Sequence, residues 1–417
     1  MTGDGAHKNE GLRQAFLVGL LSLNFGILFF DRNAINFLFP FIKPDLGLTN
    51  EQVGLTASSL SLSWALAALV VGAAADRSGS RKAYLIGATV AFSLCSFLTG
   101  LAHSFVTLLG ARLLMGVAEG GVAPISQSIT ASIVPPHRRG LAQGVMQNFG
   151  SNLLGSFVAP VVLVGFAEVY GWQHAFYLAG VPGLISALLL WKFIDEPAPP
   201  ALHDASAVEP TRLSLTARLS AILAHRNMWL CSIIAVLLVG YLVTCWAFVP
   251  LYLTEVRHYE PGTTSWLMGA LGLSATVGSI GVSGLSDRIG RRPVMIFFAF
   301  LGAILPLSAM YYTGGSAWVL GVVFFVGWAL VGLFPLFMGT IPSESVSPVH
   351  MTTAMALVMG LGEVLGGVLA PWISGRVADS AGLTAPLWIM LGLCLTAGVL
   401  AFGLVETAPS RRAAGAA

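Results

Sequence analysis

Two residues of opposite charge, Arg112 and Glu119, lie within one long apolar stretch of the sequence, residues 105–130. On a helix of ~3.6 residues per turn, their spacing turns both side chains to the same face, roughly 10 Å apart along the axis. A charge at the centre of a bilayer costs ~2.5–3.5 kcal/mol on insertion scales. The pair therefore predicts a polar cavity or a charged partner beside this helix.

A second charged pair, Asp31 and Arg32, interrupts the first apolar stretch, residues 14–40. Adjacent residues on a helix diverge by about 100°, so the two side chains cannot serve the same partner. Counting along the two stretches places Asp31, Arg32 and Arg112 at similar depth, with Glu119 nearer the midplane. One arrangement pairs Asp31 with Arg112 and leaves Arg32 free to bind an anion.

Charges placed in this way favour two kinds of chemistry. An arginine binds a carboxylate through two parallel hydrogen bonds, which makes Arg32 and Arg112 candidate substrate-binding residues. A carboxyl group inside a membrane is a candidate proton carrier, and all eight histidines lie in tails, loops, the linker or at the edges of apolar stretches. Asp31 and Glu119 are therefore expected to carry protons. The alternative is that the four charges neutralise one another and only fix helix packing.

The composition places these residues in a membrane. Of the 417 residues, 56% are hydrophobic and 10% are charged, whereas soluble domains have about 25% charged residues. We predict an all-α integral membrane protein in which two pseudo-symmetric six-helix bundles surround a central cavity. The twelve predicted transmembrane spans are, in order, residues 14–40, 53–75, 83–102, 105–130, 141–166, 173–194, 228–254, 264–285, 294–312, 317–341, 352–377 and 384–405.

The distribution of basic residues predicts the orientation of these spans. About 16 of the 21 lysines and arginines fall in segments on the side of the N-terminus, and the opposite loops hold only Lys43, Arg257 and Arg376. The positive-inside rule then places both termini in the cytoplasm, in a cell inner membrane. The polar, proline-rich segment 195–227 is expected to be a cytoplasmic linker between bundles 1–194 and 228–417.

The two halves of the chain repeat with an offset of 211 residues. The sequence Asp-Arg-Ser-Gly-Ser-Arg begins at Asp76, and Asp-Arg-Ile-Gly-Arg-Arg begins at Asp287. The same offset superimposes Gly155 on Gly366, Ala159 on Ala370, Pro160 on Pro371 and Gly171 on Gly382. Agreement at separate places indicates a duplicated bundle.

The two repeated loops are charged, and each lies at the cytoplasmic end of a pair of spans. One interpretation is a topology signal alone. The other is a charge latch between the halves that closes in one conformation and opens in the other. The candidate latch residues are Asp76, Arg77, Gly79, Arg81, Asp287, Arg288, Gly290 and Arg292.

The loop pattern G-x-x-x-D-R-x-G-x-R-K, its second copy and the six-plus-six layout resemble the major facilitator superfamily. Within it, the Asp-Arg of span 1 and the Arg and Glu seven residues apart in span 4 resemble the anion:cation symporter branch. This resemblance implies proton sites at Asp31 and Glu119, a substrate arginine at Arg32 and a coupling partner at Arg112. It also implies that Tyr241 and Trp246 of the aromatic span 7 line the substrate site.

A third carboxylate inside the membrane, Glu363, lies near the middle of span 11. The repeat makes it the symmetry mate of Asn152 in span 5. We expect Glu363, with Asn148 and Asn152, to contact substrate hydroxyl groups or to serve as another proton site; the alternative is a hydrogen-bonded packing carboxyl. Small residues four apart in spans 5 and 11, such as Gly155 and Gly366, predict close approach to a neighbouring helix.

These observations favour a monomeric secondary transporter that imports a small organic anion with protons. A proton-coupled exporter of drugs or metabolites is the main alternative. A membrane enzyme ranks below it because the sequence lacks the common phosphate-binding and hydrolytic motifs, and a non-transporting sensor ranks below it because the short linker is its only output surface. No metal, cofactor or nucleic acid is expected. Whether the anion is a sugar acid or an aromatic acid stays open, because both hydroxyl partners and aromatic rings are available.

Overall fold

The computed structural model describes residues 3–78, 80–135, 138–196, 220, 222–347 and 350–408, and these residues are helical apart from short turns and connections. We number the twelve long helices α1 to α12. They are Gly3–Leu46, Asn50–Ser78, Arg81–Gly100, Phe105–Ile133, Ala142–Tyr170, Trp172–Phe193, Arg226–Val256, Pro261–Ile289, Arg291–Tyr311, Ala317–Ser345, Thr353–Ala381 and Thr384–Ala401.

Eleven of the described helices are long and apolar enough to cross a membrane, and α2 is a further long helix. Many of their apolar side chains are exposed, for example Val106, Val169, Leu188 and Trp318. A surface of this kind is stable only in contact with lipid. The predicted fold class, an all-α protein with helical membrane spans, is confirmed.

Contacts divide the chain into two compact units. The first contains Met1–Leu48 and Leu62–Ala201, and the second contains Thr49–Ser61 and Leu202–Ala417. Within the second unit, the start of α2 packs on α11, where the carboxylate of Asp379 accepts hydrogen bonds from the backbone N–H groups of Asn50 and Glu51. The bundle boundaries 1–194 and 228–417 stay a prediction, and residues 197–219 and 221 of the predicted linker lie outside the described part.

The backbone geometry repeats with the offset read from the sequence. A π-helix occupies Ser151–Val158 in α5, and another occupies Gly362–Gly366 in α11. Subtracting 211 from the second range gives 151–155, so the two π-helices coincide in the repeat. Gly171 and Gly382, also related by this offset, both have left-handed φ angles, 86° and 82°. Because such φ angles favour glycine, the matched turns support a duplicated bundle.

Close packing of small residues occurs at the predicted positions. In the first unit, a Cβ on Gly155 would collide with Phe29 of α1, and a Cβ on Gly150 would collide with the backbone carbonyl of Ser22. In the second unit, a Cβ on Gly366 would collide with the carbonyl of Val236 in α7. The close approach predicted for spans 5 and 11 is therefore confirmed, against α1 and α7 respectively.

This packing gives a stability prediction for α5. We expect Gly150→Ala to destabilise the protein by about 1–3 kcal/mol, because the added methyl group forces backbones apart in an interface without space. The matched control is Gly165→Ala on the same helix, where an added Cβ would have no neighbour within 4 Å. Thermal unfolding in detergent tests this, and equal melting temperatures for the two variants would contradict it.

Candidate functional site

The four charged side chains singled out in spans 1 and 4 come together in the first unit. Asp31 and Glu119 are 0% exposed and Arg112 is 1% exposed, whereas the Arg32 side chain is 16% exposed. Helix α1 supplies Asp31 and Arg32, and α4 supplies Arg112 and Glu119. The structure therefore confirms that the two charges of span 4 point the same way, towards α1.

Arg112 binds the backbone of α1 rather than a carboxylate. Its Nη2 donates to the carbonyl oxygen of Arg32 at 2.7 Å, and its Nη1 contacts the sulfur of Met115 at 3.0 Å. The first contact shows that the Arg112 guanidinium reaches the backbone of α1 at Arg32. No described residue accepts a hydrogen bond from Nε. Arg112 thus holds the backbone that carries Arg32, which is a positioning role.

Asp31 and Arg112 do not form the predicted direct ion pair, although the two charges lie close enough to interact electrostatically. Asp31 accepts a hydrogen bond from the Ser96 hydroxyl at 2.7 Å, and its second oxygen has no partner among the described residues. The two Nη atoms of Arg112 contact the Arg32 carbonyl and the Met115 sulfur instead. Ser96, on α3, was not identified from the sequence because a serine in an apolar helix carries no distinctive signal.

Arg32 contacts Glu119 and two aromatic rings. The Arg32 Nε lies 3.9 Å from Oε2 of Glu119, a long ion pair. The guanidinium carbon lies 5.5 Å from the ring centroid of Phe29 and 5.2 Å from that of Trp64 on α2. These distances are within the range of cation–π contacts. The rings hold the guanidinium, and we find no hydrogen bond from it to a described residue.

Glu119 is the buried carboxylate with the fewest partners. Both of its oxygens are buried, and neither accepts a hydrogen bond within the described ranges. Its only ion pair there is the 3.9 Å contact with Arg32. Burying a carboxylate without hydrogen bonds is costly, whereas the protonated form is neutral. Glu119 is therefore suited to lose a proton when Arg32 pairs with it and to gain one when Arg32 is released.

The polar residues predicted near the midplane lie in π-helices. Asn152 is half-buried in Ser151–Val158, and Glu363 is half-buried in Gly362–Gly366. Asn148 belongs to a third π-helix, Val145–Phe149, and its side chain lies outside the described part. π-helices inside α-helices occur frequently at functional sites. Each residue is described in its own unit, and their common role in one site stays a prediction.

The aromatic residues of α7 pack inside the second unit. The Tyr241 hydroxyl donates to the carbonyl of Gly302 at 2.8 Å, and its side chain is 0% exposed. Trp246 lies edge-on to Trp328, with 5.3 Å between ring centroids. Because the Tyr241 hydroxyl is already engaged and enclosed, this geometry favours a packing role for Tyr241 over substrate contact. Trp246 is 7% exposed.

The second repeated loop forms a charge cluster, but around a different arginine from those predicted. Arg291 pairs with Asp287 and, at 3.0 Å, with Glu344. It also donates to the Ser286 hydroxyl at 2.6 Å. The predicted latch residues Arg288 and Arg292 are exposed, and Arg291 was not among the residues predicted from the sequence. Both pairs lie within the second unit, and a latch between the halves stays a prediction.

The first copy of the loop is described only in part. Gly79 lies outside the described residues, as do the side chains of Asp76 and Arg77. Arg81 begins α3, and the backbone N–H of Lys82 donates to the carboxylate of Glu196 at 3.2 Å. A carboxylate at the start of a helix is stabilised by the free N–H groups and the helix dipole.

The corresponding carboxylate of the second half is Glu406. It accepts hydrogen bonds from the backbone N–H groups of Arg291, Arg292, Thr407 and Ala408. Gly290 permits this contact, since its φ is 107° and a Cβ there would lie 2.6 Å from the carboxylate. Partial burial favours the neutral acid, but the backbone donors outweigh it and lower the pKa of Glu406 below its usual 4.5.

We therefore expect Glu406→Gln to lower the stability by about 1–2 kcal/mol at neutral pH, because hydrogen bonds to a charged acceptor are lost. The folded-state pKa is the lower one, so this stabilisation is complete above 4.5 and disappears as the pH falls through the folded value. Melting temperatures of wild type, Glu406→Gln and the exposed control Glu168→Gln at several pH values test this. A difference that persists undiminished at low pH would count against it.

Comparison with known proteins agrees with the predicted resemblance. The model of the Major Facilitator Superfamily matches residues 21–364 and 243–417. A 3-(3-hydroxy-phenyl)propionate transporter of Escherichia coli is 31% identical over 366 residues, 85% of this chain and 86% of that one. A hexuronate transporter of Bacillus subtilis is 28% identical over 394 residues, 90% of this chain and 89% of that one.

Solved structures show the same fold. A bacterial homologue of the human lysosomal transporter Spinster, crystallised in an inward-facing and unoccupied conformation, superimposes with a TM-score of 0.75. The superposition covers 94% of this chain and 95% of the other at 20% sequence identity. At that identity the match bears on the fold alone.

Proposed function

Because the chain belongs to the major facilitator superfamily, whose members are transporters rather than enzymes, we propose that this secondary transporter carries a small organic anion together with protons. One observation carries the proposal. Arg32 is partly exposed with its hydrogen-bond donors unused by described residues, and it lies 3.9 Å from the fully buried Glu119. A cation held next to a carboxylate without hydrogen bonds is suited to exchanging that carboxylate for a substrate anion.

The charge balance of the site supports proton coupling. Arg32 and Arg112 supply two positive charges, and ionised Asp31 and Glu119 supply two negative charges, so the group is neutral. A carboxylate substrate that binds Arg32 adds a negative charge in a region of low dielectric, where an uncompensated charge is costly. If Glu119 takes up a proton as the substrate replaces it, the site stays neutral. Binding of the anion and of a proton then favour each other.

The other residues take roles consistent with this exchange. Arg112 fixes the backbone of Arg32 through the 2.7 Å hydrogen bond, and Asp31 is a second proton site beside Ser96. Asn148, Asn152 and Glu363 are proposed to contact the rest of the substrate, with Glu363 as a further proton site. The protein is proposed to act as a monomer in a cell inner membrane with both termini in the cytoplasm, which the positive-inside rule supports.

Ligand-dependent thermal stability tests the proposed substrate class. A ligand present at ~100 times its dissociation constant stabilises the folded state by ~2.7 kcal/mol if it binds only that state. We expect organic carboxylates to raise the melting temperature of the purified protein, and cationic drugs to leave it unchanged. Stabilisation by cations alone would contradict anion transport and would favour the drug exporter.

A further inference from the structure

The environment of Arg32 is aromatic. Its guanidinium lies against the rings of Phe29 and Trp64, and the Phe25 ring follows at 5.2 Å from that of Phe29. Phe29 and Trp64 are only half-buried, so parts of both rings stay accessible. Phe29 cannot move away easily, because its backbone packs directly on Gly155 of α5. The guanidinium of Arg32, the proposed anion-binding group, thus lies against aromatic rings.

Four polar side chains of α1, α3 and α5 are already engaged. The Asn33 amide donates to the carbonyl of Gly155 at 3.0 Å, and the Ser96 hydroxyl donates to Asp31. The Ser151 hydroxyl donates to the carbonyl of Gln147, and the Ser22 hydroxyl donates to the carbonyl of Val145. A substrate hydroxyl group that lost water there would find these four groups engaged, and the oxygens of Glu119 and Asp31 that accept no hydrogen bond from a described residue belong to the proposed proton sites.

We propose that the anion is an aromatic carboxylate, and that Phe29 and Trp64 select it by packing on its ring while Arg32 binds its carboxylate. This inference rests on the proposed function, namely that Arg32 is the anion site. It adds the substrate class and two specificity residues, of which Trp64 lies on α2, a helix that supplies none of the four clustered charges.

The geometry favours a flat substrate for a physical reason. A carboxylate that makes two hydrogen bonds with a guanidinium lies in the guanidinium plane. In an acid whose carboxylate is conjugated with its ring, the ring continues that plane. Aromatic rings already packed against the guanidinium can therefore extend their contact onto the substrate ring, in offset or edge-to-face geometry. Because the rings and Arg32 are held in place beforehand, little ordering is required on binding.

Three acids with a six-membered ring and the same charge test the inference on the wild-type protein: benzoate, cyclohexanecarboxylate and the larger, hydroxylated glucuronate. Titration calorimetry in detergent gives their dissociation constants. We expect benzoate to bind about 2–10-fold more tightly than cyclohexanecarboxylate, which reflects the aromatic contact alone. We expect glucuronate to bind more weakly than both. Glucuronate binding as tightly as benzoate, or equal binding of the two apolar acids, would overturn the inference and leave anion transport intact.

Replacement of Trp64 tests the specificity residue directly. Trp64→Leu is expected to weaken benzoate binding about tenfold, since the ring contact and its buried area are lost, and to change cyclohexanecarboxylate binding less. The matched control is Trp191→Leu on α6, where the tryptophan is 67% exposed. If Trp64→Leu weakened all three acids equally, the ring would hold Arg32 rather than select the substrate. If no acid bound while cationic drugs did, the proposed function itself would fail.

Discussion

Arg32→Ala is expected to abolish uptake of the organic anion, with a loss of at least about 100-fold in transport rate at low substrate concentration. Truncating one partner of a buried charge pair costs ~2–5 kcal/mol, and the substrate carboxylate would lose its cation. Arg32→Lys is expected to recover only a small part of the lost transport rate, because an ammonium group cannot form two parallel hydrogen bonds to a carboxylate. Uptake of labelled substrate into proteoliposomes measures both variants.

The matched control for this experiment is Arg13→Ala. Arg13 lies on the same helix, α1, but its side chain is 67% exposed and, among the described residues, pairs with Asp195, which is 79% exposed. Exposed ion pairs contribute little to stability, so the control should transport normally. Uptake by a folded Arg32→Ala protein at the wild-type rate would show that the anion binds elsewhere.

Glu119→Gln is expected to separate anion movement from proton movement. Glutamine has the shape of protonated glutamic acid but cannot release a proton. Exchange of labelled for unlabelled substrate across the membrane should therefore persist, whereas accumulation driven by a pH gradient should fall to the background level. Counterflow and gradient-driven uptake, measured on the same liposomes, distinguish the two.

Glu168→Gln provides the control for this variant, since Glu168 is an exposed carboxylate near the C-terminal end of α5. Glu168→Gln should keep both substrate exchange and accumulation driven by a pH gradient. If Glu119→Gln still accumulated substrate along a pH gradient, the coupling proton would have to be carried by another group, and Asp31, with one oxygen unpaired among the described side chains, would be the next candidate.

The sequence predicted the depth and direction of the charged residues because both follow from helix geometry and from the cost of a charge in lipid. Arg112 reaches the backbone of Arg32, in agreement with the similar depth that counting residues indicated. It also predicted the close packing of α5 and α11, since small residues four apart fall on one helix face. The depth and direction of a charged residue depend on one helix and the lipid around it. The position of a small-residue face depends on one helix alone.

Partners were harder to predict, because a partner depends on the rotation and contacts of two helices. Arg112 binds a backbone carbonyl and a methionine sulfur, and neither acceptor has a distinctive sequence pattern. Arg291, rather than its neighbours Arg288 and Arg292, is the arginine that reaches Glu344. Successive side chains on a helix point about 100° apart, so a shift of one position along the chain changes which partner an arginine can reach. Trp64 was missed for the same reason: only the packing of α2 on α1 brings it to Arg32.

The central claim, that an organic anion and protons move together, is tested most directly by recording the internal pH of proteoliposomes. Vesicles loaded with a membrane-impermeant pH dye and held at zero membrane potential would receive external benzoate, with protein-free vesicles correcting for passive entry of the neutral acid. The proposed mechanism predicts internal acidification that requires the protein, disappears in Arg32→Ala and is lost in Glu119→Gln although exchange continues. Anion uptake by the wild type without any protein-dependent proton flux would contradict it.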